Sequence, residues 1–200
     1  MLPNPVSLFK DKAEIESILQ RVEGKQKTED LVKKLAHLKQ IREPFYLTSG
    51  ELNEIFHWKL RNQYGRQLKR REINNTDANI QIITKAAFAI KHNDNEEETA
   101  LKIKILSTLS GVSTPVASAI LTLCYPDSYA VIDFRNWRQV YSVKKSAYNA
   151  NEYSEYLSVI KKWAKEFDMT TQEMDVAIWQ LDNEKYPKKG KPAGRVQHFV

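Results

Sequence analysis

The chain has 200 residues, 42% apolar and 28% charged, a balance that excludes wholesale disorder and suits one domain or two lobes sharing a core. Its 31 Lys and Arg against 25 Asp and Glu give a formal charge of +6. A single cysteine, Cys124, excludes a disulfide framework, a CxxC zinc site and a four-thiolate iron–sulfur cluster.

The opening MLPNPVSLFKDKAEIE holds no continuous apolar run, and no later stretch is long enough to span a bilayer. A cytoplasmic protein in a reducing compartment, without membrane contact, is therefore expected. Glycine is scarce and Asn-Gly or Asp-Gly hairpin turns are missing, whereas apolar residues recur three and four apart. The expected fold class is all-α.

Leu31, Leu35 and Leu38 line one face of a first helix. Thr48 or Ser49 caps a second over 51–61, with Leu52, Ile55 and Phe56 apolar. Thr76 or Asp77 starts a third that carries Ile80, Ile83, Ala87 and Ile90. The acidic cluster 94–98 suits the N-terminus of a fourth ending at Leu109, because carboxylates favour that end of the dipole. Further helices are expected over 114–124, 134–143, 152–167 and 171–181.

Positive charge is uneven. Between Lys59 and Arg71 there are six cations and no acid, and Lys185 to Arg195 holds five more among Pro and Gly. Residues 185–200 read as a basic, flexible tail. A basic run alone is more often a solvated helix face than a binding site, but two of them on one chain raise the odds of nucleic-acid contact.

Residues 101–141 carry the most information. Ser110-Gly111-Val112-Ser113 makes a tight turn, and Pro115 sits at a favoured first-turn position of the next helix. Backbone N–H groups at such a turn and helix start form an anion site that needs no side-chain charge. Two amphipathic helices also simply need a turn, and Gly111 supplies one. After the second helix the apolar run Tyr129–Ile132 delivers Asp133, followed by Arg135, Trp137 and Arg138.

This segment resembles the helix-hairpin-helix DNA glycosylase superfamily, whose pattern is a Leu-x-Gly-Val-Gly hairpin, a helix of small and apolar residues, and an aspartate beyond it. Here the matching residues are Leu109-Ser-Gly111-Val112-Ser113, then Val116-Ala117-x-Ala119-Ile120-Leu121, then Val131-Ile132-Asp133. The resemblance implies two helical lobes with DNA between them. Residues 48–125 would form one lobe, 1–47 plus 126–184 the other, with Asp133 at the seam. There are two departures from the pattern. Ser113 replaces the second glycine, and Pro115 stands where bifunctional members carry a Schiff-base lysine. Proline has no amine, so the implied activity is monofunctional: water hydrolyses the bond to a modified or damaged base and leaves an abasic site.

The resemblance makes Asp133 the catalytic carboxylate, stabilising positive charge on the sugar and orienting water. An aspartate before Phe134-Arg-Asn-Trp-Arg is also an ideal helix cap worth about 1 kcal/mol, and the two roles are compatible. Backbone contacts to DNA are expected from Gly111, Val112, Ser113, Thr114, Lys59, Arg61 and Arg135. Trp58, Tyr129, Trp137 and Tyr141 are the candidate walls of a pocket for the flipped base, whereas Trp163 and Trp179 read as core. The four histidines show no metal spacing, so neither metal nor cofactor is expected, and the protein reads as a monomer. The rival readings are a helix-hairpin-helix DNA-binding module without chemistry and an all-α interaction protein with solubilising charge. Base-excision repair and phage defence are both open as settings.

Overall fold

The computed structural model describes residues 2–60 and 74–187. Among the described residues there are nine helices and no strand, so the fold is all-α. They are α1 (Lys12–Gln20), α2 (Lys25–Ile41), α3 (Ser49–Leu60), α4 (Asp77–Ala89), α5 (Asn95–Leu106), α6 (Thr114–Cys124), α7 (Phe134–Tyr141), α8 (Ala150–Glu166) and α9 (Thr171–Lys185). Arg61, the rest of the first basic run beyond Lys59, and the tail from 188 lie outside the described residues.

Most helices start where the sequence supplies a cap. Thr76 accepts the Asn79 N–H, and Asp94 accepts those of Glu96 and Glu97. Asn149 with Glu152, and Thr170 with Glu173, form reciprocal capping boxes at α8 and α9. Helix α1 was not evident from apolar spacing, because only Ile15 and Ile18 of its nine residues are buried; Asp11 caps it. Helix α5 stops at Leu106 rather than Leu109, and three-residue bonds from Thr108 and Leu109 back to Ile105 and Leu106 tighten the chain into the following turn.

Helices α3, α4, α5 and α6 pack among themselves, and α1, α7, α8 and α9 do likewise. The two sets are joined by α5 lying against α8, and one continuous apolar cluster runs through both. Helix α2, grouped by the sequence reading with the second lobe, makes its principal contacts with α6 of the first.

Between α6 and α7 the chain crosses the interior in extended form. Tyr129, Ala130, Val131 and Ile132 are all buried, with no strand beside them to satisfy their peptide groups. The Tyr129 N–H turns back onto Tyr125 O (3.2 Å), and side chains serve the four groups that follow. Tyr153 donates its hydroxyl to Ala130 O (2.8 Å) and Tyr156 to Val131 O (3.2 Å). The Val131 N–H donates to Asp175 Oδ2 (3.0 Å), and the Ile132 N–H to Ser118 Oγ (3.1 Å). A buried irregular segment is tolerable only with such partners.

Helix α7 is then clamped to α9 at the Asp182 carboxylate. Asp182, with 0% of its surface exposed, accepts from Arg135 Nη1 (2.8 Å), Arg138 Nε (2.9 Å) and Nη2 (2.7 Å), and Gln139 Nε2 (2.7 Å). Removing it strands buried or half-buried guanidinium charge. Asp182→Ala should therefore lose about 3–5 kcal/mol of folding stability, measured by urea unfolding.

Candidate active site

Asp133 caps α7. Its Oδ1 accepts the N–H groups of Arg135 (2.9 Å) and Asn136 (3.1 Å), which fixes the carboxylate's direction. Its Oδ2 lies 3.7 Å from Lys59 Nζ, near the end of α3, and the two side chains are 22% and 12% exposed. Both line a cleft of about 110 Å³. Its other walls come from the turn between α1 and α2 (Val22 to Lys25, then Thr28), from Trp58, and from Asn136, Asp175, Val176 and Trp179. Roughly 10–15 Å³ of such space holds a water, so the cleft admits several waters or a small planar group.

Trp58 is held in the wall by its indole N–H, which donates to Thr28 Oγ1 at 2.9 Å. Gly24, in the left-handed region at φ 71°, lets the α1–α2 turn reverse beside the cleft. A broader groove lined by Lys27, Lys34, Glu54 and His57 shares Glu23, Gly24, Thr28 and Trp58 with the cleft.

Of the four aromatic residues expected around a base, only Trp58 lines the cleft. Trp137 is 1% exposed and packs among Tyr141, Tyr148 and Tyr156, so it and Tyr141 belong to the core. Tyr129 is likewise buried, and its hydroxyl accepts from Lys102 Nζ at 3.1 Å. Trp179, expected in the core, is only partly buried and forms part of the cleft wall. Spacing on an amphipathic helix cannot tell a core position from one at the edge of a cavity.

The expected DNA-backbone contacts also divide. Arg135 is 6% exposed, with its guanidinium on Asp182 and near the Trp179 ring, and does not offer itself to a phosphate. Lys59 is turned into the cleft toward Asp133 instead of outward. Gly111, Val112, Ser113 and Thr114 do form the turn and helix start, with Gly111 at φ 77° and Val112 buried. Ser113 sits at φ −83°, an ordinary conformation for a side-chain-bearing residue, so its replacement of glycine imposes no backbone strain. The Ser110 N–H of this turn is taken by Asn75 Oδ1, and Asn75 Nδ2 donates to Ser110 O, both at 2.8 Å. None of residues 110–114 lines the cleft.

Asp175 was not singled out from the sequence. It is buried in the cleft wall, with Oδ2 accepting from Val131 N–H and Oδ1 from Asn136 Nδ2. Burial, reinforced by the nearby Asp133 charge, pushes its carboxyl up to about 8, against the opposing pull of the Val131 N–H, Lys59 and Asn136. No periodicity marks such a residue, since Asp175 and Asp182 read as ordinary polar positions on α9. Among the described residues, no group of three or more His, Cys, Asp or Glu is placed to hold a metal. No helix among them is long and apolar enough to cross a membrane.

Comparison of the chain with family models, curated proteins and solved structures finds no match. The site therefore has to be read from its own chemistry.

The raised Asp175 carboxyl has a signed consequence for stability. Its folded value of about 8 lies above the ordinary 3.8, so between those pH values the native state keeps a proton that the unfolded chain has lost. The contribution is fully present below the ordinary value and is lost as the pH rises through the folded value. Asparagine removes the ionisation but turns one acceptor into a donor that faces either the Val131 N–H or Asn136 Nδ2. In thermal melts wild type should therefore lose stability as the pH rises from 4 toward 8, and Asp175→Asn, whatever its absolute stability, should lack that slope.

Proposed function

We propose that the protein is a monofunctional DNA glycosylase, hydrolysing the bond between deoxyribose and a modified or damaged base that has left the stack. What supports this reading above all is the divided carboxylate of Asp133. One oxygen is anchored by the α7 cap, while the other lies beside Lys59 in a cleft walled by the indoles of Trp58 and Trp179.

Departure of the base leaves an oxocarbenium-like sugar, and a fixed carboxylate stabilises that charge without having to reorganise. The cap supplies the fixity, because turning Asp133 away would release two N–H groups of α7. Lys59 biases the second oxygen toward the cleft and brings positive charge to a site that must approach phosphates. The same second oxygen orients and deprotonates the attacking water. Trp58 offers an apolar wall against which an extruded base stacks, although a cleft of this size in the free protein has to widen for the whole nucleotide. Base recognition comes from the cleft and backbone contact from the α5–α6 turn, two separate surfaces of one domain. Whether the setting is repair or phage defence depends on which base is removed.

The test incubates wild type and Asp133→Asn with duplex and single-stranded DNA carrying defined altered bases, then cleaves abasic sites with alkali. Strand breaks from wild type and a loss of about 10²–10⁴-fold in the variant are expected, with DNA binding retained. Equal products from both proteins would overturn the assignment of Asp133. Binding by both with no products from either favours the non-catalytic module.

A further inference from the structure

Among the described residues Asp175 is the one buried carboxyl in the cleft wall, and its place in the reaction is not given by the role of Asp133. It projects from α9, whereas Asp133 starts α7 and Lys59 lies near the end of α3, so three elements bring three ionisable groups to one cavity. Its two oxygens each accept one N–H, which leaves each a further lone-pair direction, enough to carry a proton.

A second observation is independent of the carboxyl. Asn136 is 1% exposed and lines the same cleft, yet its Oδ1 has no hydrogen-bond partner among the described residues. Its Nδ2, by contrast, donates to Asp175 Oδ1 and also to the Asp175 carbonyl at 3.2 Å. An orphaned buried acceptor is costly, and here it adjoins a cavity able to receive a donor from a ligand. The wall around α9 thus pairs a carboxyl with a vacant amide acceptor, the complement of a ring edge that carries an acceptor atom beside an N–H donor.

We propose that Asp175 is the acid of the site, delivering a proton to the departing base while Asp133 faces the sugar, and that the substrate is therefore a neutral modified base and not a cationic alkylated one. This rests on the glycosylase reading above. The bond between C1′ and the ring nitrogen breaks with its electron pair going to the base, and the Asp175 proton moves to a nitrogen or oxygen of that base. Water oxygen bonds to C1′ and gives its own proton to Asp133, and solvent exchange then returns the two carboxyls to their starting states. A cationic base needs no such proton, because it leaves as a neutral molecule unaided.

Burial in the cleft wall keeps Asp175 protonated through neutral pH, with its carboxyl pushed up to about 8. The ionisable groups around it are Lys59 from α3, Asp133 at the start of α7, and Tyr153 and Tyr156 from α8; Glu23 and Lys25 of the α1–α2 turn also line the cleft. Of these, the Asp133 charge raises Asp175 and Lys59 lowers it.

The experiment compares wild type with Asp175→Asn on DNA containing hypoxanthine, uracil or 5-hydroxymethyluracil, all neutral, and on DNA containing cationic 7-methylguanine. Wild type is expected to excise at least one neutral base, with a rate that falls above about pH 8. The variant loses that activity about 10²–10⁴-fold, a far larger loss than on any release of 7-methylguanine, and the fall in rate above about pH 8 disappears with it. Folding of the variant is checked by its melt. Independently of activity, the carboxyl carbon of Asp175 in the wild-type protein should titrate near 8 by NMR. Excision confined to 7-methylguanine, equal loss on both kinds of base, an unaltered variant, or titration below pH 5 each overturns the proposal while leaving Asp133 in place. A wild type inert on every base overturns the glycosylase reading and this one together.

Discussion

The structure depends on satisfying the peptide groups of one buried extended segment. Residues 129–132 run through the interior with neither helix nor sheet to pair them, and each unpaired group there would cost about 1–3 kcal/mol. Ser118 on α6, Tyr153 and Tyr156 on α8, and Asp175 on α9 supply the partners. Three helices from distant parts of the chain must therefore be in place before the segment can be. Because the segment ends at Asp133, this requirement also decides where the candidate catalytic carboxylate emerges.

Helix α9 serves that arrangement twice on one face. Asp175 and Asp182 are two helical turns apart, and both reach the α7 region. Asp182 is surrounded by two guanidinium groups and an amide, and their hydrogen bonds hold its carboxyl below the ordinary range despite complete burial. Asp175 has only N–H partners and lies near a like charge, so burial prevails and its carboxyl moves the other way. The first is a clamp between helices and the second is a reserve of acidity in a cleft. Identical side chains acquire opposite ionisation behaviour from their surroundings.

Several misplaced expectations share one cause. Arg135, Trp137 and Tyr141 follow Asp133 closely in sequence, and that proximity suggested a shared site. On a helix, however, residues a few positions on from the cap point to different sides. Asp133 and Asn136 face the cleft, whereas Trp137 and Tyr141 enter the core and Arg135 turns to Asp182. In the opposite direction, Trp179 and Asp175 lie far along the chain and reach the cleft only because α9 packs on α7.

The amino-acid sequence determined by itself what depends on short range. The all-α class, the caps at Thr76 and Asp133, the acidic start of α5, the start of α6 at Thr114 and the tight turn at Gly111 all follow from spacing, side-chain oxygens, the helix dipole and a φ that glycine tolerates. Tertiary packing alone decided which polar groups are buried, which wall faces which, and hence that Lys59, Asp133, Asn136 and Asp175 meet in one cleft. The physical reason is that desolvation and Coulomb forces act through space. Their strength is set by what another helix brings within a few ångströms, and no local pattern along the chain encodes that distance.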